Sequence, residues 1–113
     1  MVSCHLFFFR KLSHVVQKTP DPSDFRTQMQ FNPRYQLYAA SADEIAQVEK
    51  VLNILPDEML YARIDGIFTE GVFHLIEIEL LEPWLFLQQC ASASRAFAEA
   101  IKERVHQRLE LCP

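Results

Sequence analysis

YARIDGIFTEGVFHLIEIELLEP, residues 61–83, decides the architecture. Two stretches rich in branched and aromatic residues, LYARIDGIF and VFHLIEIELL, flank Thr69-Glu70-Gly71 and read as a β-hairpin. A three-residue loop with glycine last fits a type I turn closed by a left-handed glycine. It pairs Phe68 with Val72, and the register then sets Gly66 opposite His74, Ile64 opposite Ile76 and Ala62 opposite Ile78. That face is apolar apart from His74 and is expected to pack on the core. The other face carries Tyr61, Arg63 and Asp65 on one strand and Leu75, Glu77 and Glu79 on the other. Arg63 falls directly across from Glu77, with Asp65 on the diagonal. Cross-strand neighbours lie roughly 5 Å apart and i, i+2 neighbours about 7 Å, so three acids and one arginine converge on one patch. Glu82 drops out of the alternation and reads as the turn out of the strand.

Two readings of that patch stand side by side. An antiparallel sheet often has one wet face on which acids and arginines are simply solvated. Hard cations offer the other: magnesium takes carboxylate oxygens and leaves room for water and nucleotide phosphates, which suits acids spaced like these.

Working outward, CHLFFFRKLSHVVQK (4–18) reads as two strands joined by a tight Arg10-Lys11 turn, because no helical stripe fits it. TPDPSD (19–24) is a proline-broken loop, and FRTQMQF (25–31) alternates as a short strand ended by Asn32-Pro33. Ser41 and Glu44 have capping-box spacing, and Ile45, Val48, Leu52 and Leu55 follow at helical intervals until Pro56. A last helix, about Ser92 to Leu109, carries an i, i+4 stripe of Phe97, Ile101, Val105 and Leu109. Strands and helices in this order predict an α+β fold, an antiparallel sheet packed with two helices. Residues 1–113 have the size of one ordinary domain or of one piece of a larger one, with no internal repeat or domain boundary.

Composition excludes several classes. The net charge is −4 and the pI near 5.5, which argues against a nucleic-acid partner. Two glycines leave no room for a glycine-rich phosphate loop. Half the residues are hydrophobic, ample for a packed core. Cys4, Cys90 and Cys112 form an odd set without CxxC spacing and read as reduced thiols. The apolar run Leu6-Phe7-Phe8-Phe9 is too short for a membrane span, and its charges, Arg10-Lys11, follow it, unlike those of a signal peptide. The cytoplasm is the expected compartment.

At this point the residues resemble a known family. YARIDGIFTEGVFHLIEIELLEP looks like the C-terminal catalytic hairpin of ATP-grasp carboxylate–amine ligases. There a strand with R-x-D precedes one reading L-x-E-x-N-x-x-P, or, in a glutathione-synthetase-like and cycloserine-ligase-like subgroup, E-x-E-L-x-E-P. The segment FFFRKLSHVVQKTPDPSDFRTQ resembles that subgroup's H-x-x-x-K-x-P and F-R-x-Q, and the likeness runs over about residues 6–105. The resemblance implies ATP and Mg²⁺, with Asp65, Glu77 and Glu79 as metal ligands; Glu79 stands where many relatives have asparagine. It implies that Arg63 faces the acyl phosphate, that Arg26 and Lys18 lie near the phosphates, and that Ile67 and Leu75 pack against the base. The carboxylate and amine substrates would be the remaining partners. Where relatives continue Q-x-x-x-G-G, this chain has Gln28-Met29-Gln30-Phe31-Asn32-Pro33. The substrate-binding and lid regions of such enzymes have no counterpart here, so the resemblance implies that residues 1–113 are a single partial domain, the C-terminal portion of such an enzyme, inactive alone. A non-catalytic module dimerising through an apolar patch, and a remnant with merely solvated acids, are the competing expectations.

Overall fold

The computed structural model describes residues 1–19, 34–81 and 83–111. Arg26, the strand expected over 25–31, Glu82 and Cys112 lie outside the described residues.

Five strands form one antiparallel sheet: β1 (Val2–Phe8), β2 (Lys11–Thr19), β3 (Arg34–Leu37), β4 (Tyr61–Thr69) and β5 (Val72–Glu79), in spatial order β3-β2-β1-β4-β5. Two helices complete the α+β fold, α1 (Ala42–Leu52) and α2 (Ala93–Leu111). β1 is central because its residues are apolar on both faces, and Ser3 to Phe8 are all buried. One face, with Phe7, Ala62 and Ile64, packs against Val48 and Leu52 of α1. The other brings Cys4, Leu6 and Val16 against Phe86. Burying each such large aliphatic or aromatic side chain contributes roughly 1.5–3 kcal/mol. No helix among the described residues is long and apolar enough to cross a membrane.

α1 begins as expected, with the Ser41 hydroxyl accepting from the Glu44 amide at 3.1 Å. Glu44 does not close the capping box, however. Its carboxylate enters the core and meets His5 Nε2 at 2.6 Å, while the Tyr38 hydroxyl donates to its other oxygen. His5 Nδ1 donates to the Ile64 carbonyl, so both ring nitrogens are engaged. The helix ends at Leu52, and Arg10 caps it by donating to the carbonyls of Leu52 and Pro56 at 3.0 and 3.1 Å.

That capping explains a correction to the first hairpin. Its turn is Phe9–Arg10 rather than Arg10–Lys11, and Phe8 pairs with Lys11. Both turn residues have positive φ without being glycine, which costs on the order of 1–2 kcal/mol each. The Arg10 hydrogen bonds and the bond from the Phe9 amide to Leu60 O offset that strain.

The second hairpin is corrected twice. Its loop is the two-residue Glu70-Gly71, with φ of 51° and 76°, and it pairs Thr69 with Val72. Two residues at positive φ form the tight turn that suits twisted strands. Gln47 of α1 holds the tip by donating to Gly71 O and accepting from the Phe73 amide, both at 2.8 Å. A bulge follows: Gly66 pairs with Leu75 but Asp65 with Glu77, leaving Ile76 as the extra residue. Turn and bulge each displace the register by one. Below the bulge the pairs are Asp65–Glu77, Ile64–Ile78 and Arg63–Glu79, two residues from the expected register. An even slip keeps every side chain on its face.

Candidate metal and nucleotide site

Because the slip is even, the four charged residues still converge. Asp65, Glu77 and Glu79 can each offer an oxygen within 4.8 Å of the others. Arg63 binds Asp65 through two donors, Nε to Oδ1 at 3.0 Å and Nη2 to Oδ2 at 2.7 Å. Its Nη1 reaches Glu79 Oε2 and the Trp84 carbonyl, each at 3.2 Å. The Phe86 ring covers one face of the guanidinium at 5.2 Å, a favourable cation–π geometry.

Three carboxylates crowd beside one guanidinium in a partly dry site. The consequences run through the acids and their neighbours. The Glu79 carboxyl is raised above the usual carboxylate range by burial and by its hydrogen bond with Glu77, although Arg63 pulls it down. Burial opposes the charge on Arg63, yet its hydrogen bonds to Asp65 and the surrounding negative charge raise it on balance. Across from Asp65 on β1, burial and then the Asp65 charge push the Cys4 thiol up to about 12, so it stays protonated at neutral pH. A hard divalent cation taking these oxygens would cancel the excess charge, and all-oxygen donor sets of this kind suit magnesium.

The site opens into a cavity of about 880 Å³. Lys18, Ile67, Arg63, Asp65, Glu77 and Glu79 all line it. Leu75 does not. The tighter turn pairs it with Gly66, and the bulge aims Ile76 into the cavity instead; re-aiming one side chain beside a site is a common effect of bulges. His74 likewise leaves the core face, pairs with Ile67 and is exposed. The sequence did contain a signal for the bulge, because a glycine inside a strand marks a bulge or a close approach. A Cβ on Gly66 would overlap the Phe73 ring and lie 2.5 Å from His74 O. Residues missed by sequence reasoning form the far wall. After β5 the chain doubles back as a strap over the acid face, carrying Trp84 and Phe86 into the lining.

No protein-family model matches the chain, and no curated protein matches it by sequence. Solved structures do match by shape. D-cycloserine synthetase DcsG superposes with a TM-score of 0.68 at 24% identity, over 91% of this chain and 37% of that one. D-alanine–D-alanine ligase from Bacillus anthracis complexed with ATP gives 0.64 at 14% identity, over 97% and 38%. A second structure of that ligase gives 0.60 at 15% identity, over 97% and 40%. The chain thus has the fold of a portion of these proteins and spans less than half the length of each.

Proposed function

We propose that this chain is the part of an ATP-dependent carboxylate–amine ligase that holds Mg²⁺ and the nucleotide phosphates. The observation that carries this reading is three carboxylates within 4.8 Å, two of which, Asp65 and Glu79, pair with the arginine of the same cavity. Asp65, Glu77 and Glu79 would hold magnesium, which when bound supplies positive charge to the transferring phosphoryl group. Ile67 and Ile76 would flank the base, with Ile76 filling the place expected of Leu75. Lys18, and Arg26 from outside the described residues, would add positive charge near the phosphates.

In the reaction the substrate carboxylate takes the γ-phosphoryl of ATP, giving an acyl phosphate and ADP. The amine nitrogen then attacks the carbonyl carbon, the C–N bond forms, and phosphate leaves as the amine gives up a proton. The protein's share is position and charge. Besides Asp65 and Glu79, the Trp84 carbonyl and the Phe86 ring hold Arg63, and these two contacts would keep it oriented when the carboxylates turn to a cation. With a cation on the carboxylates, its donors to Asp65 and Glu79 would be free for the acyl phosphate. Buried Cys4 and Leu6 exclude water from below. The chain would need the rest of a ligase to turn over, and its buried thiol is suited to a reducing cytoplasm.

Calorimetric titration with Mg·ATP tests this. Binding is expected in the wild type, with Glu77→Gln weakening it about tenfold or more, the loss of one charge-assisted ligand; no heat in the wild type contradicts the reading. Association is favoured as a second property by the outer stripe of α2, where Ile101, Val105 and Leu109 are 42%, 51% and 65% exposed.

A further inference from the structure

The cavity has two apolar ends with the acids between them. Two residues from Asp65 along β4, Ile67 joins Val2 and Ile76; two residues the other way lies Arg63, beneath the strap that bears Trp84 and Phe86. The base placement proposed above, at Ile67 and Ile76, leaves the other end unassigned. From the second we infer a subsite for a flat hydrocarbon group on the acid or amine substrate, walled by Trp84; this rests on the function proposed above and adds the substrate's chemical class.

The strap is built to present that indole. Arg63 donates to Trp84 O, and His14 Nε2 donates to Leu85 O at 2.9 Å. Next, Phe86 adopts a left-handed conformation with φ of 52°, a strain of roughly 1–3 kcal/mol for a residue with a Cβ. The strained turn sinks the Phe86 ring among Leu6, Val16 and Tyr35 and leaves Trp84 55% exposed on the cavity. Two backbone anchors and a strained residue thus hold a large apolar surface towards water, beside the guanidinium assigned to the reacting carbonyl. Strain of this kind persists where the surroundings over-determine it, and functional sites are where it clusters. An indole face takes an aromatic or other flat carbon group by offset stacking, and an ammonium by cation–π attraction.

Trp84 is the chain's single tryptophan, so its indole N–H resonance reports the wall directly. The ¹⁵N-labelled protein, with Mg²⁺ and a non-hydrolysable ATP analogue, would be titrated in parallel with 3-phenylpropionate and propionate, and with phenethylamine and ethylamine. In at least one pair the ring-bearing compound is expected to move the indole signal and bind about tenfold tighter than its truncated partner, as an added stacking contact allows. The pair that shows this tells whether acid or amine carries the group. By calorimetry, Trp84→Ala is expected to erase the ring's advantage, and Ile54→Ala, at an exposed residue outside the cavity lining, to leave it. Equal affinity within both pairs, or a ring advantage that survives Trp84→Ala, overturns the subsite even if Mg·nucleotide binds. A Trp84-dependent ring advantage without nucleotide binding keeps the subsite and removes the nucleotide reading.

Discussion

At the scale of single residues, what was legible was what depends on parity. Arg63, Asp65, Glu77 and Glu79 sit at odd positions of two paired strands, so any even error in register leaves them together. Leu75 and Ile76 were not legible, because the tighter turn moves Leu75 off the acid face and the bulge leaves Ile76 in its place. Gly66 was the available clue, and it carries a prediction. Gly66→Ala is expected to destabilise the fold by about 1–3 kcal/mol, the usual cost of overpacking, in urea denaturation, since its methyl would overlap Phe73 and crowd the His74 carbonyl; an unchanged midpoint would mean that the bulge is not packed as described. Glu44 was read as a capping residue, but its carboxylate, wholly buried, pairs with wholly buried His5. Removing one member of such a pair strands the other without a partner. Glu44→Ala is therefore expected to cost about 3–5 kcal/mol by the same measurement, far more than the loss of a surface cap.

At the scale of elements, the second hairpin and both helices follow from periodicity, but the path of each was decided elsewhere. Strand β3 is four residues long at the sheet edge, too short for alternation to announce it. The first turn moved by one residue because Arg10 is drawn to the end of α1. On α2, the expected stripe advances about 40° with every four residues, so Phe97 stacks on Phe8 at 5.1 Å while Ile101, Val105 and Leu109 swing outward. Ala93, Phe97, Ala100 and Arg104, spaced four, three and four, keep to one side, and there Arg104 lies over Phe9. The strap after β5 gave no periodic signal at all, and its anchoring makes it sensitive to pH. Burial lowers the His14 pKa from 6.5, against the raising effect of the strap carbonyls. The unfolded chain then binds the proton more readily than the folded one. His14 therefore contributes stability that is present above the ordinary value and lost as pH falls below it. Unfolding free energies measured from pH 8 to 5 should fall more steeply in the wild type than in His14→Gln, which keeps a donor for Leu85 O; parallel profiles would show that His14 is not the responsible group.

At the scale of the whole molecule, the sheet separates two polar clusters. On the α1 side, His5 and Glu44 are hydrogen-bonded to each other and sealed from solvent, an arrangement that holds the fold together. On the strap side, three carboxylates cluster beside open space and only Asp65 and Glu79 pair with Arg63, an imbalance that a cation would reduce. The chain as a whole carries a net charge of −4, so a diffuse attraction for cations is expected anywhere on its surface, and location separates a site from that background. Paramagnetic broadening by substoichiometric Mn²⁺, read on assigned backbone amides, tests the central claim most directly. Broadening is predicted first at Asp65, Glu77 and Glu79, with the amides of α1 and of the outer half of α2 spared, and is expected to be reversed by excess Mg²⁺. Broadening centred on Glu99 and Glu103 of α2, or spread evenly over the acidic surface, would contradict it.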